Sequence, residues 1–428
     1  MRSLVPIVAN QLMMLLLGLV GVKLITRLVP PDVNGLYTLF VSLTQIGPLI
    51  THSGITNHAS RYWQREGNHA WIYARFLWTE SWRGLRLLVP IVVLTVLIRA
   101  LKDGNWIWCW LLPLLVVSNL ALALNGIGSL VLNAAQRPWQ MLLLSTVGNA
   151  TRVLAPLGFA WMTTMSLGML SVGYTLHGIL IIGLLLALFH KAIGASKPDA
   201  ARSVYWHQEL KDYGGPFMLL GVGAWLLQYA DRWIVEQSFG SAQAGLFGVA
   251  LQLGGIIPTM AVGVLMQLYF PGIFQKSDHA RTPDDWRTIA RQCDRITIGF
   301  VALTLAGLLT LHLVAPMFTG WLIDDKYAAA LPMLAAAGLV MLAALGNQFY
   351  YLLLQGQHNS SAMVKVMLMV AGLKTLASAV AAALSWNTFM VWLWLSPLVC
   401  MAVGRTMILR LALAPGTVAR PAHNKTRD

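Results

Sequence analysis

Long apolar runs recur along the whole chain and are separated by short polar stretches. A membrane-spanning helix needs about 20 mostly apolar residues, and an open strand would leave its backbone polar groups unsatisfied in lipid. The pattern therefore predicts an all-α polytopic membrane protein with about twelve transmembrane helices. The predicted spans 1 to 12 cover residues 5–28, 36–54, 84–101, 106–132, 139–160, 167–190, 215–237, 245–273, 296–319, 329–354, 362–384 and 389–411.

The composition excludes the two other broad classes of protein. The chain is 57% hydrophobic and 11% charged, whereas a soluble globular chain carries about 25% charged residues. So few charges cannot cover the surface of a water-soluble protein of 428 residues. Disorder is excluded as well, because disordered chains have low hydrophobicity.

The basic residues predict how the chain crosses the membrane. Of the 30 Lys and Arg, 21 fall on one side of the predicted spans, and Arg99, Lys102 and Lys326 fall on the other. Cytoplasmic segments carry the excess of Lys and Arg, so both termini are predicted to lie inside. The net charge of +14 then reflects topology, and no nucleic-acid partner is predicted. One inner segment is expected to be amphipathic and to lie on the membrane surface, because large apolar residues lie among arginines there: Trp71, Ile72, Phe76, Leu77 and Trp78.

An internal repeat divides the chain into two halves. At an offset of 210 residues, Gly35-Leu36-Tyr37 aligns with Gly245-Leu246-Phe247, and Pro48 aligns with Pro258. These matches relate spans that are six apart, which predicts a parallel duplication with a substrate site between the halves. The predicted domains are an N-terminal six-helix half at 1–190, a cytoplasmic linker at 191–214, a C-terminal six-helix half at 215–411 and a basic tail at 412–428.

Charged residues within the spans are the candidate functional groups, since a charge at a helix centre costs at least ~2.5–3.5 kcal/mol. Five of the deep ones are basic, and cations facing one cavity would bind an anionic substrate. A simpler interpretation for Lys23 and Arg27 is snorkelling to the membrane interface. For Arg232 it is a local ion pair, and for Arg152 and Lys374 it is a hydrogen bond to a carbonyl oxygen of a neighbouring helix. The five are Lys23, Arg27, Arg152, Arg232 and Lys374, and Asp231 is the clear acid at depth.

Three stretches carry a family resemblance. The exit of span 1 at Lys23–Leu36, the stretch Asp231–Gly240 followed by Gly245–Ala250, and the link at Asp325–Pro332 resemble, in this order along the chain, the Wzx-type polysaccharide flippases. These belong to the MOP exporter superfamily. The resemblance implies a MOP/MATE-like fold of two pseudo-symmetric six-helix halves in the bacterial inner membrane.

The resemblance also implies a function. Proteins of this type move undecaprenyl-diphosphate-linked oligosaccharide, a repeat unit of O-antigen, capsule or exopolysaccharide, from the cytoplasmic to the periplasmic leaflet by alternating access. Their partners are membrane lipids and the polymerase and chain-length protein of the same pathway. In that frame Lys23, Arg27 and Arg232 match basic positions near the cavity-lining spans. Arg152 and Lys374 rest on the repeat alone.

Other functions stay open at this point. A cation-coupled multidrug or metabolite antiporter of the same superfamily would favour acids in its cavity. A membrane enzyme of polysaccharide assembly would need a larger outer loop, so the chain is expected not to be an enzyme. The three cysteines are far apart and predict no metal site. No phosphate-binding glycine loop is present, so no cofactor is expected, and the energy would come from an ion gradient, the membrane potential or the substrate gradient. Asp231 is the candidate group for H⁺ or Na⁺ coupling.

Overall fold

The computed structural model describes residues 4–66, 69–104, 106–135, 137–194, 199–318, 320–357 and 359–414, and nearly all of this length is helical. The first nine helices are α1 (Leu4–Leu28), α2 (Pro31–Leu43), α3 (Ser53–Glu66), α4 (Ala70–Arg83), α5 (Leu85–Asp103), α6 (Ile107–Trp110), α7 (Leu112–Ala134), α8 (Pro138–Met162) and α9 (Leu167–Gly194). The others are α10 (Ala200–Glu209), α11 (Gly215–Phe239), α12 (Ser241–His279), α13 (Pro283–Val314), α14 (Leu334–Leu345), α15 (Gln348–Gly356), α16 (Ser360–Leu384) and α17 (Trp386–Ala412).

The helices match the predicted spans. Within the described ranges, nine helical segments are long and apolar enough to cross a membrane. Helices α1, α8 and α11 coincide with the other three predicted spans and have 25 residues each. At 1.5 Å per residue, each is about 37 Å long, which exceeds the ~30 Å hydrocarbon core. The chain is thus a multi-pass membrane protein.

Local sequence signals set several helix ends. Pro31 occupies the first turn of α2, where its missing N–H costs nothing. Thr282 and Asp285 form a reciprocal capping box at the start of α13, and the Ser385 side chain caps α17. Helix α11 ends at Gly240, whose φ of 88° lies in the region that glycine adopts at little cost. The sharp turn between α11 and α12 follows from that residue.

Predicted span 2 is interrupted in its interior. Helix α2 ends at Leu43, and a π-helical turn occupies Gly47–Thr51. The Asn119 side chain supplies hydrogen-bond partners at this interruption. Its Oδ1 accepts from the Gly47 N–H at 2.6 Å, and its Nδ2 donates to the Leu43 carbonyl oxygen at 3.1 Å. Backbone groups freed inside a membrane need such partners.

The expected surface stretch of the inner side packs into protein instead. Phe76 and Leu77 on α4 are 7% and 0% exposed, so the sequence-based expectation of a lipid-surface location is wrong for both. They join an aromatic cluster with Tyr73 and with Trp206 of α10. The Trp206 indole N–H donates to the Glu66 carboxylate at 3.1 Å. The arginine-flanked pattern does not distinguish lipid from a second protein helix.

The chain forms two compact units, each with its own interior. The first unit comprises residues 1–225, 232–249 and 318–330, and the second comprises 226–231, 250–317 and 331–428. The predicted domain boundaries and the inward position of both termini stay predictions. Residues 195–198 of the predicted linker and 415–428 of the predicted tail lie outside the described residues.

The residues that define the sequence repeat meet inside the first unit. A Cβ atom on Gly35 would lie 1.8 Å from the Ser241 carbonyl oxygen, and one on Gly245 would lie 1.9 Å from the Pro31 carbonyl oxygen. Ser241 and Pro31 are separated by the same offset as the two glycines, so each contact is the counterpart of the other. Such reciprocity is what a local two-fold relation produces.

The second unit packs its helices around aromatic and small side chains. Phe300 of α13 and Phe349 of α15 are fully buried, with ring centroids 5.8 Å apart. Gly254 of α12 lies so close to α14 that a Cβ there would be 2.3 Å from the Leu334 carbonyl oxygen. Small residues at helix crossings allow this close approach in membranes, where apolar burial alone does not drive helices together.

Candidate functional site

A fully buried ion pair lies between α11 and α16 in the second unit. The Lys374 ammonium donates to Asp231 Oδ2 and, at 3.1 Å, to the Leu227 carbonyl oxygen. The two side chains are 0% and 1% exposed. Among the described residues, Asp231 Oδ1 has no hydrogen-bond partner. Each charge therefore compensates the other, away from the protein surface.

A second ion pair joins α5 to the end of α11 in the first unit. Arg99 Nη2 lies 2.6 Å from Glu236 Oε1, and the side chains are 9% and 13% exposed. The guanidinium carbon also lies 5.9 Å and 5.3 Å from the ring centroids of Trp108 and Trp233, within cation–π range. The distribution of basic residues predicts Arg99 on the outer side, and its pairing with Glu236 was not predicted. Its position inside the predicted span 84–101 was the available signal.

A cavity of about 320 Å³ adjoins this second pair. Arg99, Trp108, Glu236 and Gln237 contribute to its wall, together with apolar side chains. The exposed Lys102 donates to Gln237 Oε1 at 2.7 Å, which makes a second polar link between α5 and α11. Polar and aromatic groups thus converge on one small space.

The two basic residues of α1 lie near the segment at 320–330 in the first unit. Lys23 is half-buried with its ammonium 5.2 Å from the Trp321 ring centroid. The Arg27 side chain is exposed, and its carbonyl oxygen accepts from Lys326 Nζ at 2.9 Å. Tyr327 donates to the Val29 carbonyl oxygen at 3.1 Å. These contacts fix the end of α1 and gather three basic side chains there.

Arg152 is exposed on α8, beside a buried polar group. Thr151 and His177 Nδ1 are 2.7 Å apart, and His177 is 2% exposed. The His177 ring also packs edge-on against Tyr174, with ring centroids 5.7 Å apart. His177 is thus a packed, hydrogen-bonded residue.

Arg232 is half-buried on α11 next to Trp233, whose indole N–H donates to Ser42 Oγ at 2.8 Å. Of the six predicted site residues, Asp231 and Lys374 are brought into direct contact with each other. The other four lie on α1, α8 and α11, and their role in substrate binding stays a prediction. Within the described ranges, no group of three or more His, Cys, Asp or Glu side chains could hold a metal ion.

Comparison with known proteins places these features in context. A sequence model described as "polysaccharide biosynthesis protein" matches residues 24–332. No significantly similar sequence is found among curated proteins.

Solved structures share the fold across nearly the whole chain. The lipid II flippase MurJ in an inward closed conformation has a TM-score of 0.63 at 12% identity, over 95% of this chain and 87% of that one. MATE in the straight conformation has a TM-score of 0.62 at 14% identity, over 96% and 95%. An inward-facing multidrug resistance MATE transporter of the MOP superfamily has a TM-score of 0.60 at 12% identity, over 96% and 99%. These similarities confirm the predicted two-half, twelve-helix fold.

Proposed function

Because the chain belongs to the polysaccharide biosynthesis protein family, we propose that it is a flippase for undecaprenyl-diphosphate-linked oligosaccharide. The cargo is a repeat unit of O-antigen, capsule or exopolysaccharide, and it moves from the cytoplasmic to the periplasmic leaflet of the bacterial inner membrane. The family match carries this proposal. The fold shared with a protein named as a lipid II flippase supports it.

The chemistry of the cargo assigns a role to the basic residues. A diphosphate and its sugars cannot cross hydrocarbon unaided, whereas the polyprenyl chain stays in lipid. Guanidinium groups bind phosphate oxygens in a bidentate, charge-assisted way, and the exposed Arg152 and half-buried Arg232 offer such groups. Lys23 and Arg27 add positive charge near the end of α1. Lys374 could join them only after leaving Asp231.

A second candidate function is a cation-coupled multidrug antiporter, which the shared MATE fold favours. Such a protein needs an accessible acid to attract a cationic drug. Asp231 is 1% exposed and its charge is compensated by Lys374, which weighs against this alternative. Efflux of a cationic dye from cells expressing the protein, with no effect on surface glycan, would favour the antiporter.

The proposed cycle needs a source of energy and a pathway. An ion gradient drives the alternation between inward and outward access, with H⁺ or Na⁺ as the coupling ion. Asp231 is the group that responds to it, in a state in which its contact with Lys374 has opened. No organic cofactor takes part. The polymerase and the chain-length protein of the same glycan pathway use the translocated units.

Export of surface polysaccharide in a strain lacking the chromosomal copy tests the proposal. We expect Arg152→Ala and Arg232→Ala each to lower export at least tenfold at unchanged membrane abundance, because each removes a phosphate-binding charge. Arg152→Lys and Arg232→Lys keep the charge and should retain a measurable part of the export. Arg287→Ala removes an exposed arginine whose partner is Asp284 and is the matched control with full export.

Two results would overturn parts of this account. Failure of the wild-type gene to restore export, with the protein present in the membrane, would refute the flippase. Full export by the double variant Arg152→Ala/Arg232→Ala would refute the basic site and leave the flippase standing.

A further inference from the structure

Two polar links connect α5 to the last turns of α11, and two indoles, from α6 and α11, lie beside them. Arg99 and Glu236 form the buried link, and Lys102 and Gln237 form an exposed one with 2.7 Å between donor and acceptor. The rings of Trp108 and Trp233 flank the guanidinium. All of these groups lie at the helix ends that the distribution of basic residues predicts to face outward.

These links cross the sequence repeat. Helix α5 is the third span of the first half, and α11 is the first span of the second half. Two other ion pairs lie within the second half: Asp231 with Lys374, and Asp294 with Arg405. A link within a half can persist while the halves move, whereas a link across them must open when they separate.

The surroundings of the Arg99–Glu236 pair suit a contact that opens and closes. The pair borders a cavity of about 320 Å³, which is large enough to admit water. Water entering there can replace each partner of the pair, so separation exchanges protein hydrogen bonds for hydrogen bonds to water at a small net cost. The Lys374 and Asp231 side chains are 0% and 1% exposed, so water cannot replace either partner of that pair.

We propose that the Arg99–Glu236 pair, with Trp108 and Trp233, is an outer gate that is closed in this structure and opens when cargo leaves. The proposal rests on the proposed flippase function. Lys102 and Gln237 form the outermost contact of the same gate. The indoles shield the closed pair, and cation–π attraction favours the return of Arg99 after each cycle.

Reversible cross-linking of the two gate helices tests the proposal. In a background where Cys109, Cys293 and Cys400 are replaced by alanine, Arg99→Cys/Glu236→Cys is bridged by a bis-thiosulfonate reagent that a reductant cleaves. We expect bridging to reduce export of newly made polysaccharide at least tenfold and reductant to restore it. The matched control is Arg405→Cys/Asp294→Cys, which bridges an ion pair within one half and should keep exporting when bridged.

Export by the bridged gate variant at the rate of its reduced form would overturn the gate. If the unbridged variant is itself inactive, a charge exchange decides. Arg99→Glu/Glu236→Arg should export more than either single substitution, and a double variant no better than the singles would refute the pair. A wild-type protein that supports no export refutes the flippase instead of the gate.

A measurement independent of cargo completes the test. Leu101 on α5 and Ser238 on α11 are exposed, so spin labels there leave both polar links intact. An opening gate should give two populations of label-to-label distance. A single distance under every ion gradient imposed on reconstituted vesicles would contradict the proposal.

Discussion

Replacing Lys374 by methionine should lower the melting temperature of the protein, because it leaves the buried Asp231 carboxylate without its partner. Methionine keeps the length of the side chain and its apolar contacts but removes the ammonium group. Asp231 then loses its compensating charge, and the Leu227 carbonyl oxygen loses a donor at 3.1 Å. With exposures of 0% and 1% for the two side chains, water cannot take the place of the missing group.

The expected cost follows from this burial. Breaking a buried ion pair by removing one partner costs about 3–5 kcal/mol, and an uncompensated charge in a span costs at least ~2.5–3.5 kcal/mol on insertion scales. An average unfolding entropy of about 2.1 cal/mol/K per residue gives about 0.9 kcal/mol/K for 428 residues. The melting temperature should therefore fall by about 3–6 °C.

A double-mutant cycle measured by thermal unfolding in detergent isolates the pair. Asp231→Asn should also destabilise the protein, because it leaves Lys374 charged and buried. The double variant Asp231→Asn/Lys374→Met carries no buried charge at these positions, so its loss should be smaller than the sum of the single losses by at least about 2 kcal/mol. Arg287→Ala, which removes one member of an exposed ion pair, should shift the melting temperature little.

Additive single effects, or a Lys374→Met variant as stable as the wild type, would refute the buried pair. The double variant also decides the predicted role of Lys374 in cargo binding. If it folds and exports polysaccharide, the ammonium is not needed for the cargo. If it folds and fails to export, the charge at one of these two positions is required.

Two further predictions concern a helix crossing and pH. Gly35→Ala should abolish the monodisperse peak in size-exclusion chromatography, because its Cβ would lie 1.8 Å from the Ser241 carbonyl oxygen; Gly126→Ala, with nothing within 4 Å, should elute as the wild type. Burial lowers the pKa of His58 from 6.5 to about 4 and outweighs Glu209, which lies 3.9 Å away. The unfolded state then binds the proton first, so stability should fall by about 3 kcal/mol as pH drops from 6.5 to 4. His58→Gln should flatten the dependence of melting temperature on pH over that range, and an unchanged slope would contradict the assignment.

Much of the fold could be predicted from local patterns. Each of the twelve predicted spans has a helical counterpart, and several of their ends are marked by capping residues or prolines such as Pro31 and Thr282. The offset between Gly35 and Gly245 indicated the repeat, and the reciprocal contacts of the two glycines bear it out at this crossing. The lipid-surface expectation for Phe76 failed because an apolar helix face packs equally well against lipid or protein.

The candidate site was much less predictable. The sequence placed Lys374 and Asp231 in spans, but their pairing over 143 residues depends on how α11 and α16 rotate toward each other. It placed Arg99 and Glu236 near span ends but did not indicate that these two residues, 137 positions apart, form a pair. A one-residue change in register rotates a helix face by about 100°. Span boundaries that are known only to within a few residues therefore do not tell which side chains of two helices face each other.

The hydropathy pattern along the chain was enough to predict that it crosses the membrane as helices, with about twelve spans at the stated positions. That information is local, since each residue contributes its own transfer free energy to lipid. The tertiary structure decided which charges compensate each other: Asp231 with Lys374, and Arg99 with Glu236. Partnership depends on the packing and rotation of helices distant in sequence, and in lipid a buried charge must find its partner there.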